Sequence, residues 1–142
     1  MVPPRPLVTI GITTYDRPQG LDRTLRLVTA QSYQNLEIIV SDNGSPGSAT
    51  EHVARHFVEF DRRVIYFRQP TNRGALFNFA FLLNHASGKY FAWAADDDEM
   101  EPGFVEELVK LLEESPAAAL AFCNYDAIDP TGARIVTYPN FL

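Results

Sequence analysis

The chain has 142 residues, 46% of them hydrophobic, and a formal net charge of −6. That length buries one sizeable core, so a single compact domain spanning 1–142 is expected rather than two independent ones. The acidic balance argues against nucleic acid as the main partner, since such binders carry a basic face, and favours a cationic or metal-bridged ligand.

After a Pro-rich lead, Leu7 to Thr13 is a β-branched run that predicts a buried first strand. Pro18 suits the first turn of a helix, in which Leu21, Leu25 and Val28 recur at helical spacing. Leu36 to Val40 predicts a second strand, closed by the turn formers Ser41 to Gly47, and a helix follows over 49–60. Val64 to Phe67 is a third strand, Leu76 to Ala86 a third helix, and Tyr90 to Ala94 a fourth strand. Pro102 to Glu114 is a fourth helix. Ala118 to Cys123 predicts a fifth strand and Arg134 to Tyr138 a sixth, with Pro130-Thr131-Gly132 as the turn between them. Phe77, Phe79, Phe81 and Trp93 have spacings suited to core packing, and Cys123, the single cysteine, is expected as a buried, inert thiol.

Strands alternating with helices imply right-handed crossovers and an α/β fold, a three-layer α/β/α sandwich on a mainly parallel sheet. Ligands in such sheets bind beyond the carboxyl ends of the strands, so the loops starting at Thr13, Asp42 and Ala95 are expected to converge. No disulfide can form within the chain, no apolar stretch approaches the roughly 18 residues of a membrane span, and Met1 to Arg5 lacks a secretory segment. These point to a cytoplasmic protein, with a peripheral place at the cytoplasmic membrane face left open to a longer parent.

Asp96-Asp97-Asp98-Glu99 concentrates four carboxylates directly after an apolar strand. A hard divalent cation relieves such repulsion, and magnesium or manganese commonly bridges one or two carboxylates to substrate phosphates. The plainer alternative is a solvated acidic turn facing the positive end of the next helix. Asp42 reads either as an Asx turn with Asn43-Gly44-Ser45 or as an acceptor for a base N–H. Thr14 or Asp16 suits a helix cap, and Tyr15 suits stacking on a base. In Asn72-Arg73-Gly74, Asn72 suits a cap, and Arg73 offers a forked donor for phosphate or ribose. His52 and His56 lie one helical turn apart but lack a third ligand, so they read as surface residues. Neither a dinucleotide fingerprint, nor a Lys-Ser/Thr phosphate loop, nor a nucleophile elbow occurs, which disfavours NAD, ATP-hydrolysing and covalent-hydrolase chemistry.

Taken in order, Val8 to Arg17, Ile38 to Ser45, Asn72-Arg73-Gly74 and Gly88 to Asp98 resemble glycosyltransferase family two across nearly the whole chain. The resemblance implies a nucleotide-diphospho-sugar transferase fold of the GT-A type and sugar transfer with inversion, assisted by Mg²⁺ or Mn²⁺. It places Thr13, Tyr15 and Asp16 by the base and ribose, Asp42 on the base, Arg73 near the nucleotide and Asp96 facing ribose or diphosphate. Asp97 heads the metal ligands, with Asp98 beside it as ligand, sugar contact or outer support. Family members often carry Asp-x-Asp-Asp, and Ala95 stands where the first aspartate belongs, so a register reading Asp96-x-Asp98 stays open. The expected donor is a UDP- or dTDP-sugar and the acceptor a saccharide, a lipid-linked group or a protein. The general base of the family lies beyond the acidic motif and is expected past Leu142, so the chain reads as a donor domain truncated before the acceptor-binding part. A non-catalytic nucleotide- or partner-binding module is the second reading.

Overall fold

Four apolar runs pair where the sequence places them: β1 (Val8–Thr14), β2 (Leu36–Asp42), β3 (Val64–Arg68) and β4 (Tyr90–Ala95). The computed structural model describes residues 5–129 and 131–138. Its main sheet has the order β3-β2-β1-β4, and every pairing in it is parallel. Helices α1 (Pro18–Thr29), α2 (Ala49–Phe60) and α3 (Ala75–His85) connect these strands, and α4 (Phe104–Glu114) follows β4. From β1 through β3 the chain steps one way across the sheet, then α3 carries it back past β1 to β4. Right-handed crossovers therefore put α1 and α2 on one face and α3 on the other, giving three layers.

Side-chain alternation along β1 serves both layers. Ile10 and Ile12 are fully buried, as are Leu21, Leu25 and Val28 along one stripe of α1. Gly11 points to the α3 side, where a Cβ would stand 2.9 Å from the Phe91 ring and 3.0 Å from Leu82. Glycine here lets an aromatic ring and a helix approach the strand together.

At the amino ends of the strands, Thr9 Oγ1 donates to Glu37 Oε2 at 2.6 Å, and the Ser87 amide donates to the same oxygen at 2.9 Å. Ser87 Oγ donates to Glu37 Oε1, while the Gly88 amide donates to Thr9 Oγ1. Partial burial pushes the Glu37 carboxyl up, but the donors from Ser87 and Thr9 together outweigh it and hold the group below its ordinary 4.5. A carboxyl lowered in this way contributes stability above that pH and loses it as pH falls through the lowered value. Glu37→Gln is therefore expected to melt below wild type at neutral pH, with the gap closing in melts taken under pH 4.5. A gap that stays constant with pH contradicts this account.

The chain gathers into two compact units, the first ending at Val105 and the second beginning at Glu106. Within the second unit, β5 (Tyr125–Ile128) pairs antiparallel with β6 (Arg134–Tyr138). The strand expected over Ala118 to Cys123 does not form; that run lacks β-branched residues, and pairing passes to the residues flanking the turn. Asp129 builds the turn, its Oδ1 accepting from the Thr131 and Ala133 amides. Pro130, part of the expected turn, lies outside the described residues. Cys123, expected to be buried, is exposed because its segment joins no sheet. Trp93, expected in the core, is 48% exposed, and Phe77, Phe79 and Phe81 are only half-buried. β4 is the terminal strand of its sheet, so Phe91, Trp93 and Phe79 pack edge to face against each other at the margin of the α3 layer. No helix among the described residues is long and apolar enough to cross a membrane.

Candidate functional site

The strand order reverses at β1, whose two neighbours are β2 and β4. The loops leaving β1 and β4 therefore begin side by side at this reversal, the usual ligand position in a sheet of this kind. The loops that start at Thr13, Asp42 and Ala95 meet there, because the register pairs Thr13 with Ser41 and Ala95, and Thr14 with Asp42.

Asp42 is fully buried at the end of β2. Its Oδ1 accepts from the Ser45 amide at 2.8 Å and from Ser45 Oγ at 2.6 Å, while Oδ2 accepts from the Tyr66 hydroxyl at 2.9 Å. The Asx turn suggested by the sequence is thus present, and Tyr66 fixes the other oxygen. Burial first, then the bond to Asp42 and its charge, raise the Tyr66 hydroxyl above its ordinary 10.0, so it remains a protonated donor. Each carboxylate oxygen has a second lone pair, so Oδ2 retains acceptor capacity.

Neighbouring loops are tied to this point. The Asp16 amide donates to Ser45 Oγ at 2.8 Å, and Asp16 holds a left-handed φ of 54°, which Asp tolerates better than most residues. Asn43 Oδ1 accepts from the Arg73 amide, and Asn43 Nδ2 donates to Asn72 Oδ1 and to the Gly74 carbonyl. The Arg73 guanidinium lies 3.6 Å from the Phe77 ring centroid. A planar guanidinium so stacked keeps its edge donors available. Tyr15 is 45% exposed at the mouth, and Thr13 is half-buried below it.

None of the expected side-chain caps forms. The first helix is preceded by Arg17 and the third by Gly74, each without a side-chain cap bond. Thr14 Oγ1 is diverted to Asp96, Asp16 bonds Ser45 through its amide, and Asn72 Oδ1 accepts from the Gly74 amide at 2.9 Å.

In the acidic run the three aspartates differ in position. Asp96 is buried at 5% exposure, with Oδ2 accepting from Thr14 Oγ1 at 2.8 Å. Asp97 is open to solvent. Asp98 turns back, its Oδ2 accepting weakly from the Ala95 amide at 3.4 Å and its own amide donating to the Ala95 carbonyl. Arg17 Nη1 stands 3.2 Å from Asp96 Oδ1 and 3.0 Å from Asp97 Oδ2. One guanidinium nitrogen thus touches both carboxylates, which brings Asp96 Oδ1 and Asp97 Oδ2 around one common point. Among the described residues no three His, Cys, Asp or Glu side chains gather as a self-sufficient metal site. The pair instead suits Mg²⁺ or Mn²⁺, ions that complete their shell with phosphate oxygens and water. Burial pushes the Asp96 carboxyl above its ordinary value, with Asp97 adding to the rise and Thr14 and Arg17 opposing it.

Residues 9–139 match the family model described as Glycosyl transferase family 2. The chain belongs to that family. A glycosyltransferase of Haemophilus influenzae, uncharacterized by name, is 32% identical over 78% of the chain and 34% of its own length. Glycosyltransferase GlyA of Streptococcus pneumoniae is 32% identical over 83% of the chain and 16% of its own. Among solved structures, the mannosyltransferase PcManGT of Pyrobaculum calidifontis, in complex with GDP-Man and Mn²⁺, superposes with a TM-score of 0.70. It is 23% identical and aligns over 78% of the chain and 33% of its own, a likeness that supports the fold. The chain spans between 16% and 34% of the length of these relatives.

In this family 2 transferase domain, three residues at the crevice carry no signal of their own in the sequence. Tyr66 sits in a run that reads as an ordinary buried strand, and Ser45 in one that reads as an ordinary turn. Arg17 stands in the sequence only as the end of the first motif run, yet it meets an acidic run 80 positions away. The clue available was topological: β1 and β4 had to be neighbours for their loops to converge. His52 and His56 are exposed, and His56 packs on Phe57 and Phe60. A groove of about 410 Å³ beside them, between the C-terminal ends of α1 and α2, contains none of the residues at the crevice.

Proposed function

We propose that the chain binds the donor of an inverting glycosyl transfer, a nucleotide-diphospho-sugar held with Mg²⁺ or Mn²⁺. The observation that carries this reading is the placement of Asp96 and Asp97 around one cation at the crevice where the strand order reverses. Asp42 supplies a fixed acceptor for a base N–H, kept in place by Ser45 and Tyr66. Tyr15 covers the base, Thr13 and Asp16 border the ribose, and Arg73 offers its free edge to the nucleotide.

On the metal side, Asp97 is the leading ligand, Asp96 faces the same ion or the diphosphate beside it, and Asp98 gives outer support or contacts the sugar. When bound, the ion supplies Lewis-acid stabilisation of charge on the departing nucleoside diphosphate. The relatives PcManGT, solved with GDP-Man and Mn²⁺, and TarS of S. aureus, solved with UDP and UDP-GlcNAc, support a nucleotide-sugar ligand. Of these chemistries a UDP- or dTDP-sugar is our preferred donor. The acceptor hydroxyl and the general base that takes its proton are assigned to a part of the protein beyond this domain.

Calorimetric titration with UDP, dTDP and GDP, each with and without Mn²⁺, tests the reading. Binding of one of them is expected to require the metal; equal binding in the presence of chelator sinks the metal assignment. Binding without sugar transfer in a longer protein containing the acceptor half favours a non-catalytic module.

A further inference from the structure

Arg17 is the residue whose position the proposed donor site leaves unexplained. It precedes α1, with its side chain 51% exposed, and nothing in helix formation requires it to point at β4. Its Nη1 nevertheless reaches both Asp96 Oδ1 and Asp97 Oδ2, the two oxygens that face a common centre. The close approach is built into the backbone as well. Gly20, in the first turn of α1, lies so near the Asp96 carbonyl that a Cβ would come within 2.2 Å of it. Thr24 Oγ1, one turn further on, donates to the Ala95 carbonyl at 3.3 Å. One end of α1 is thus clamped to the acidic loop, with Arg17 at the open edge of the clamp.

We propose that Arg17 is a resident counter-cation of the Asp96–Asp97 pair, competing with the divalent metal for it. This rests on the metal reading above. Two carboxylates side by side repel, and a tethered guanidinium neutralises them at the entropic cost of one side chain. It is a weaker partner than a divalent ion, and it touches both carboxylates through a single nitrogen, so a metal can displace it. Once displaced, the guanidinium remains at the crevice, where the oxygens of a nucleoside diphosphate are an alternative partner of the right charge and shape. Empty of nucleotide, the site holds metal poorly; with a diphosphate present, Arg17 has another anion to bind and the carboxylates are released to the metal. Metal and nucleotide would then bind cooperatively, each favouring the other by the same factor.

The test is Mn²⁺ binding to the whole chain without nucleotide, followed by electron paramagnetic resonance of the free ion, for wild type, Arg17→Gln, Arg17→Lys and Asp97→Ala. Removing the competing cation that stands 3.2 Å from Asp96 Oδ1 and 3.0 Å from Asp97 Oδ2 is expected to tighten Mn²⁺ binding about tenfold in Arg17→Gln. Arg17→Lys, which keeps the charge, is expected to stay near wild type. Arg17→Asn, a residue suited to the N-cap, gives the same tightening in a second background should the glutamine variant fold poorly. If wild type binds Mn²⁺, Asp97→Ala loses it and Arg17→Gln is no tighter than wild type, the competition is refuted while the metal reading stands. If no variant and no wild type binds Mn²⁺, both fall.

Discussion

Asp97→Ala is expected to abolish metal-dependent nucleotide binding, weakening it about 100-fold or more, while leaving the melting temperature close to wild type. Even groups that merely orient metal ligands typically cost about 10–100-fold in metal affinity when removed, and a direct ligand costs at least as much. The fold is spared because Asp97 is exposed and its contact in the ligand-free domain is the ion pair with the half-exposed Arg17. Exposed pairs of this kind are worth only about 0–1 kcal/mol. Asp98→Ala separates the two registers left open by Ala95. Its carboxylate leans on the Ala95 amide, whereas Arg17 pairs with Asp96 and Asp97, so a smaller loss is expected. Titration of UDP with saturating Mn²⁺ across the three proteins measures both effects. An Asp98→Ala loss equal to that of Asp97→Ala restores Asp98 as a full ligand.

The difference between these neighbours shows what the sequence contained and what it did not. Four strands and three helices of the first unit were legible because each apolar run ends on a cluster of turn formers, and burial leaves little freedom in such runs. The crevice was legible too, since parallel strands in this order send their loops to one edge. Within the acidic run the resemblance ranks the three aspartates, but their physical difference comes from their partners: Thr14 for Asp96, Arg17 for Asp97 and the loop's own amide for Asp98. Long-range bonds of this kind leave no periodic trace. Tyr66 was hidden for a related reason, because an apolar strand absorbs a tyrosine without signalling where its hydroxyl goes. In the second unit the misplaced strand followed from treating hydrophobicity as strand propensity; the alanine-rich segment lost to Tyr125–Ile128, which the Asp129 turn places opposite β6.

Gly20→Ala is expected to lower stability, although local rules predict the reverse, and to alter metal binding. Alanine in a helix is ordinarily favoured over glycine by about 1 kcal/mol, so a reading of α1 alone makes this a stabilising substitution. The new Cβ, however, would stand 2.2 Å from the Asp96 carbonyl oxygen and 3.3 Å from its carbon. The obstacle is backbone, which cannot rotate aside as a side chain would. Overpacking of this sort costs about 1–3 kcal/mol, enough to overturn the propensity gain. Relief requires α1 or the acidic loop to move, and either shift separates Arg17 and Thr14 from the Asp96–Asp97 pair, so Mn²⁺ affinity is expected to change together with the melting temperature. Gly103→Ala is the matched control, since nothing lies within 4 Å of its added Cβ. Thermal melts and Mn²⁺ titrations of the two variants decide the matter. A Gly20→Ala protein that melts as high as Gly103→Ala and binds Mn²⁺ like wild type would show that the clamp between α1 and the acidic loop does not hold the site together.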